Sequence, residues 1–99
     1  MTLIWNREAE DEFIDAADYY EAQDDGLGER FIMYIQAAVA RVFDNPFMAS
    51  CFDGECRKVK AGKFPYLVIY YLEDERIHIV SVMHTSRRPD RWKSRLKSE

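Results

Sequence analysis

Apolar residues recur at two different periods along this chain, and the change of period divides it into two parts. Thr2-Leu3-Ile4-Trp5 opens it as a short β-prone run. Asn6 follows as a helix cap, with Glu8, Glu10 and Asp11 in the first turn, where the helix dipole favours carboxylates. Ala9, Phe13, Ala16, Ala17 and Tyr20 then return at helical spacing and form one apolar stripe, with acids on the opposite face. Asp24-Asp25-Gly26 stops this helix. A second is predicted from about Leu27 to Asp44, with Phe31, Ile35, Ala38 and Val42 on one face. Asn45-Pro46 ends it, because proline disfavours helical geometry in the residue before it. So short a link between two helices implies an antiparallel hairpin.

Beyond Pro46 the period becomes two. Glu55–Ala61 reads as a strand, with Arg57, Val59 and Ala61 on one face and Cys56, Lys58 and Lys60 on the other. Gly62-Lys63 makes a turn. Tyr66–Leu72 is apolar or aromatic on both faces, as suits a central strand. Glu73-Asp74-Glu75 is a tight polar turn, and Arg76–His84 returns nearly continuously apolar. Pro89 suits the first turn of a short terminal helix. The expected fold is α+β: β-α-α-β-β-β as a single domain over residues 1–99, a helical hairpin on a small antiparallel sheet with a short C-terminal helical tail.

One face of that sheet must pack on the helices. Uncompensated lysines do not enter a core, so the face carrying Lys58 and Lys60 is expected to be the open one. It forms a basic surface to which the tail adds Arg87, Arg88, Arg91, Lys93 and Arg95.

Composition narrows the class. A chain of 99 residues, 47% hydrophobic and 32% charged with four Gly and three Pro, is globular in composition. Its longest apolar run, Pro65–Leu72, is far short of the roughly 20 residues of a membrane span. No charged leader with an apolar core opens it, so a cytoplasmic location is expected. The net charge of −4 is unevenly spread. Residues 1–50 carry three basic side chains against eleven acidic ones, a balance of −8, whereas residues 51–99 carry eleven against seven, a balance of +4. A basic back half points to an anionic partner, against the plainer reading of a solvated surface. Cys51 and Cys56, with only His78 and His84 as further soft ligands, fit no zinc spacing. No metal or cofactor is expected, and the cysteines are expected as free thiols.

Taken together these residues resemble the RelE/ParE toxins, the toxic half of bacterial type II toxin–antitoxin modules. The likeness runs from Trp5 and the alanine-rich first helix ending Tyr19-Tyr20-Glu21, through Leu27-Gly28-x-x-Phe31, to Asn45-Pro46. It is strongest from Arg57 onward. Phe64-Pro65-Tyr66-x-Val68-x-Tyr70 and His84-x-x-Arg87-x-Pro89-x-x-Trp92 are similar to a ParE-like branch often labelled plasmid stabilization proteins. The resemblance implies two alternative activities. RelE-like members cleave messenger RNA on the ribosome, using cations to stabilise the charge at phosphorus and a base to activate the 2′-hydroxyl. Lys58 and Lys60 fall at that branch's two strand lysines, but Leu67 and Thr85 stand where it has arginines, and its C-terminal tyrosine has no equivalent. ParE-like members poison DNA gyrase and need no catalytic set. Gyrase binding is therefore the expected activity, with an endoribonuclease or a decayed toxin serving only as an antitoxin-binding module as alternatives.

The resemblance also implies a cognate antitoxin, a short chain that orders on binding and forms a hetero-oligomer with the toxin. Candidate catalytic residues are Lys58, Lys60, His84 and Arg87. Candidate target or antitoxin contacts are Arg57, Lys58, Lys60, Lys63, Arg87, Arg88, Arg91 and Trp92. Each has a plainer reading: the lysines as a solvated face, His84 as a structural hydrogen bonder, Trp92 as packing for the tail. Tyr66, Tyr70, His78 and the pair Tyr19-Tyr20 are read as packing residues.

Overall fold

The computed structural model describes residues 1–87 and 92–96. Its elements are β1 (Thr2–Trp5), α1 (Arg7–Gln23), α2 (Leu27–Asp44), β2 (Cys51–Asp53), β3 (Cys56–Lys60), β4 (Tyr66–Glu73) and β5 (Arg76–His84), followed by a single 3-10 turn at Lys93–Arg95. The five strands form one sheet in the order β1-β5-β4-β3-β2.

Local chemistry accounts for the helical hairpin. The Asn6 side-chain oxygen accepts from the Glu8 and Ala9 amides at 2.9 and 3.3 Å, satisfying two of the donors that a helix start leaves unpaired. The start of α2 is capped from the preceding helix. The Glu21 carboxylate accepts from the Gly26 and Gly28 amides, both at 2.9 Å. These backbone bonds, Gly26 first, hold the Glu21 carboxyl below its ordinary value of 4.5. Gly28 lets the helices meet there. A Cβ on it would lie 2.5 Å from the Ala17 carbonyl oxygen and 2.8 Å from the Glu21 Cβ.

Both helices lie on one face of the sheet. Ala9, Ala16, Phe31, Ile35, Ala38 and Val42 pack against Val59, Val68, Tyr70, Ile77, Ile79 and Val82, all buried. Apolar burial of this kind, worth about 1.5–3 kcal/mol per large side chain, supplies the main driving force. Phe31 is the hub of an aromatic cluster, its ring 5.1 Å from Tyr20, 5.2 Å from Phe64 and 5.0 Å from Tyr66.

The α+β layout is the expected one, with three differences. The sheet is mixed. β3, β4 and β5 run antiparallel as anticipated, but β1 pairs in parallel with β5, Thr2 opposite Arg76 through Trp5 opposite Ile79. A further strand, β2, absent from the expected β-α-α-β-β-β order, pairs with β3, its register shifting between Cys51 and Asp53. The described tail is one 3-10 turn, and Pro89 lies outside the described residues.

The face carrying Lys58 and Lys60 is not open throughout. The alternation places both lysines there and both are exposed. The rest of that face carries Cys56, Ile69, Val80 and Met83, and the tail returns over it with Trp92 fully buried among them. Lysine avoidance of the core describes its own two positions correctly. The apolar residues beside them require a cover of their own, and the tail provides it.

Candidate functional site

β5 outruns its neighbour. β1 pairs with residues 76–79, so among the described residues no strand accompanies the last residues of β5 on that side. A cleft of about 620 Å³ lies between them and α1, which contributes Glu12, Asp15, Tyr19 and Tyr20. The sheet side contributes Tyr66, Val82, His84 and Arg87.

Glu12 and Arg95 close the sheet edge at the inner end of this cleft. One Glu12 oxygen accepts from the Val82 amide at 3.0 Å and the Ser81 hydroxyl at 2.9 Å. Arg95 donates to both carboxylate oxygens, at 3.0 and 3.1 Å, and also to the Val80 carbonyl at 3.1 Å. Acceptor and donor together stand where the peptide groups of a longer β1 would be, which blunts an edge otherwise open to pairing. Arg95 also lies 3.5 Å from Glu8. Lys93 pairs with Asp53 at 3.0 Å. Both cations, expected to enlarge the basic surface, thus bind the tail to the domain.

His84 faces Tyr66, ring centroids 5.3 Å apart, in a row that continues through Tyr20 to Tyr19. Its Nδ1 accepts from the Ser86 amide at 3.0 Å and is 2.8 Å from the Ser86 hydroxyl. A neutral His84 therefore carries its proton on Nε2. The Arg87 amide donates to the His84 carbonyl at 3.0 Å, closing a turn after β5, and both residues line the cleft. Burial, partly offset by Arg87 and reinforced by Tyr19 and Glu12, raises the Tyr66 phenol above 10.0. Burial, then Tyr66 and Tyr19, does the same for Tyr20. Both tyrosines are neutral at pH 7, suited to hydrogen bonding and not to acting as bases.

The candidate cations on β3 lie elsewhere. Lys58 and Lys60 are on the sheet face opposite the helices. The Lys58 ammonium sits 4.7 Å from the centre of the Phe52 ring, and the Lys60 ammonium donates to the Gly62 carbonyl at 2.7 Å. Arg57, on the helix-side face, donates to the Ala49 carbonyl and stacks 5.2 Å over Phe47. Lys63 is exposed. Trp92 is fully buried and presents no surface to a partner in this conformation. Arg88 and Arg91 lie outside the described residues. The structure thus brings His84 and Arg87 together in the cleft, and Lys58 and Lys60 together on β3, with the sheet between the pairs.

Several residues of this geometry were not singled out by sequence. Glu12 is one of seven acids on α1, and nothing in their spacing distinguishes it. Tyr19, read as packing, is 59% exposed at the cleft. Cys51 and Cys56 are free thiols, the first exposed and the second buried. Burial chiefly, with nearby Asp53, pushes the Cys56 thiol up to about 11. Among the described residues no cluster of His, Cys, Asp or Glu is arranged to hold a metal ion, and no helix is long and apolar enough to cross a membrane.

A sequence profile for the family described as ParE toxin of type II toxin-antitoxin system, parDE, matches residues 3–89. Comparison with curated protein sequences gives no match. Two solved structures have a similar fold. One, described as a chromosomal ParDE TA system from P. aeruginosa, aligns with TM-score 0.73 at 16% identity, covering 85% of this chain and 95% of that one. The other, a YoeB/ParE toxin from Agrobacterium tumefaciens, aligns with TM-score 0.63 at 13% identity, covering 85% and 98%. At these identities the likeness is one of fold.

Proposed function

The chain belongs to the ParE toxin family of type II toxin–antitoxin systems, and from that membership we propose that it arrests growth by binding DNA gyrase and is neutralised by a cognate antitoxin. The observation that favours binding over RNA cleavage is the separation of the candidate catalytic residues. Lys58 and Lys60 lie on the face opposite the helices, whereas His84 and Arg87 line the cleft on the other side. Cleavage of a phosphodiester requires a base and cations to meet at one phosphate. The cleft joins His84, fixed by Ser86, to the cation Arg87 among neutral tyrosines, but Lys58 and Lys60, the other two cations of the candidate set, lie on the opposite face. Gyrase places the site of action in the cytoplasm.

Expression from an inducible promoter tests the reading. Growth should stop on induction and resume when the adjacent open reading frame is expressed with it, while ribosome-bound messages stay intact by primer extension. Codon-phased cuts that disappear in a Lys58→Ala, Arg87→Ala double variant would instead establish an endoribonuclease. Harmless expression at high yield without any partner would identify a decayed toxin.

A further inference from the structure

The cleft between α1 and the end of β5 has the size and lining of a small-molecule site. Its volume of about 620 Å³ falls within the roughly 300–1,000 Å³ usual for such sites. Four rings run along it, Tyr19, Tyr20, Tyr66 and His84, with successive centroids 5.5, 6.1 and 5.3 Å apart. Successive ring planes cross at 70°, 69° and 78°, so neighbours in the row meet edge to face and none lies flat on the next. Tyr19, 59% exposed, offers a face to a planar ligand.

The polar groups differ between the two walls. Glu12 is already committed, its carboxylate accepting from Ser81, Val82 and Arg95. Asp15 on the α1 wall and Arg87 on the sheet wall are both exposed. Among the described residues neither side chain has an ion pair or a hydrogen bond, with the other or with any third group. Because Ser86 occupies the Nδ1 of His84, the neutral ring offers Nε2–H as a donor on the same wall as Arg87. Opposite charges that line one cleft without meeting suit a ligand with a donor edge at one end and an anion at the other. A guanidinium or ammonium ligand would satisfy Asp15 but be repelled by Arg87. A nucleotide has the required form: a flat ring system, a hydrogen-bonding edge and a phosphate. Guanine is the base whose edge presents two adjacent donors, N1–H and the 2-amino group, and a carboxylate can accept both at once.

We propose that this cleft binds a guanine nucleotide, its base against the tyrosines with N1–H and the 2-amino group on Asp15, and its phosphate on Arg87 and the His84 Nε2–H. The nucleotide is either free or part of a single strand, since both present the same groups. The proposal goes beyond the gyrase reading and does not depend on it, because its readout is nucleotide affinity and not growth or supercoiling.

The test titrates the full chain by calorimetry with guanosine 5′-monophosphate, adenosine 5′-monophosphate, guanosine, and a short single strand carrying one guanine. The guanine nucleotide should bind saturably and about tenfold or more tighter than the adenine one, as paired hydrogen bonds to a base edge discriminate. Asp15→Asn should weaken the guanine nucleotide and erase that preference. Simple attraction of an anion to Arg87 predicts the reverse, tighter binding once a carboxylate is removed, and that result overturns the proposal. Arg87→Ala should reduce the nucleotide to the affinity of guanosine while leaving guanosine unchanged. Ile14→Ala, exposed on α1 but not part of the cleft, should bind like the parent. Melting temperatures near the parent's show that the variants fold. Tighter binding of the single strand than of the mononucleotide, lost in Asp15→Asn, supports the proposal and assigns a strand as the source; equal or weaker binding of the strand supports it with the free nucleotide as the source. Equal affinity for the guanine and adenine nucleotides, or no saturable binding of either the guanine nucleotide or the strand, overturns it.

Discussion

Replacing Glu12 with alanine should destabilise the fold by about 3 kcal/mol, a large effect for one surface acid. The Glu12 carboxylate accepts four hydrogen bonds, from Ser81, Val82 and both terminal nitrogens of Arg95. Its side chain is 22% exposed and that of Arg95 only 10%. Breaking a buried ion pair by removing one partner costs roughly 3–5 kcal/mol, because the other charge stays buried. Two features reduce this. Arg95 keeps the Val80 carbonyl and the more distant Glu8, and water reaches the partly exposed carboxylate position. The stranded Val82 amide and Ser81 hydroxyl act the other way, at roughly 1 kcal/mol each. Urea denaturation followed by circular dichroism measures the loss, which corresponds to a fall in Tm of about 10–20 °C in a domain of this size. Arg95→Met should cost about 2 kcal/mol, and the double variant should show about 1.5 kcal/mol or more of coupling. Losses below about 0.5 kcal/mol, or single effects that simply add, would refute a structural role for this pair.

Other variants probe the remaining contacts. Gly28→Ala should destabilise by about 1–3 kcal/mol despite alanine's better helix propensity, since backbone 2.5 Å away must move; a gain in Tm would contradict the close crossing. At pH 8, a thiol reagent should modify Cys51 rapidly and Cys56 only on unfolding, with a single rapid equivalent in the native chain. Glu21 has a folded-state pKa below its unfolded value, so its contribution is present above about pH 4.5 and is lost as the pH falls through the lower, folded value. Glu21→Gln should therefore flatten the acid limb of the stability curve in that window, and carboxyl NMR should place the Glu21 midpoint below 4.5.

What the sequence revealed follows from how local each cause is. Both helices were legible because Asn6, Gly26 and Pro46 punctuate a clear apolar stripe, and each acts within a turn of its own position. β4 and β5 were legible as continuous apolar runs. The direction of β1 was not, since its four residues read the same whichever way they pair with β5. β2 escaped notice because three residues with a register shift carry no alternation. The separation of Lys58 and Lys60 from His84 and Arg87 is a consequence of strand order and pleat, which spacing along the chain does not reveal. Glu12 and Arg95 are 83 residues apart, so only the folded chain shows that they share one edge. Trp92, read both as a candidate contact and as packing for the tail, is fully buried. What it covers became visible only once Ile69, Val80 and Met83 were seen on the face that Lys58 and Lys60 had suggested was open.

Gyrase supercoiling in vitro is the most direct measurement of what the chain does. Purified chain added to gyrase, ATP and relaxed plasmid should inhibit supercoiling in proportion to its concentration, and a stoichiometric amount of the antitoxin should restore it. Full-rate supercoiling at saturating chain, together with codon-phased cutting of ribosome-bound messages by the same preparation, would contradict a binding toxin and require catalysis from residues that the fold holds apart.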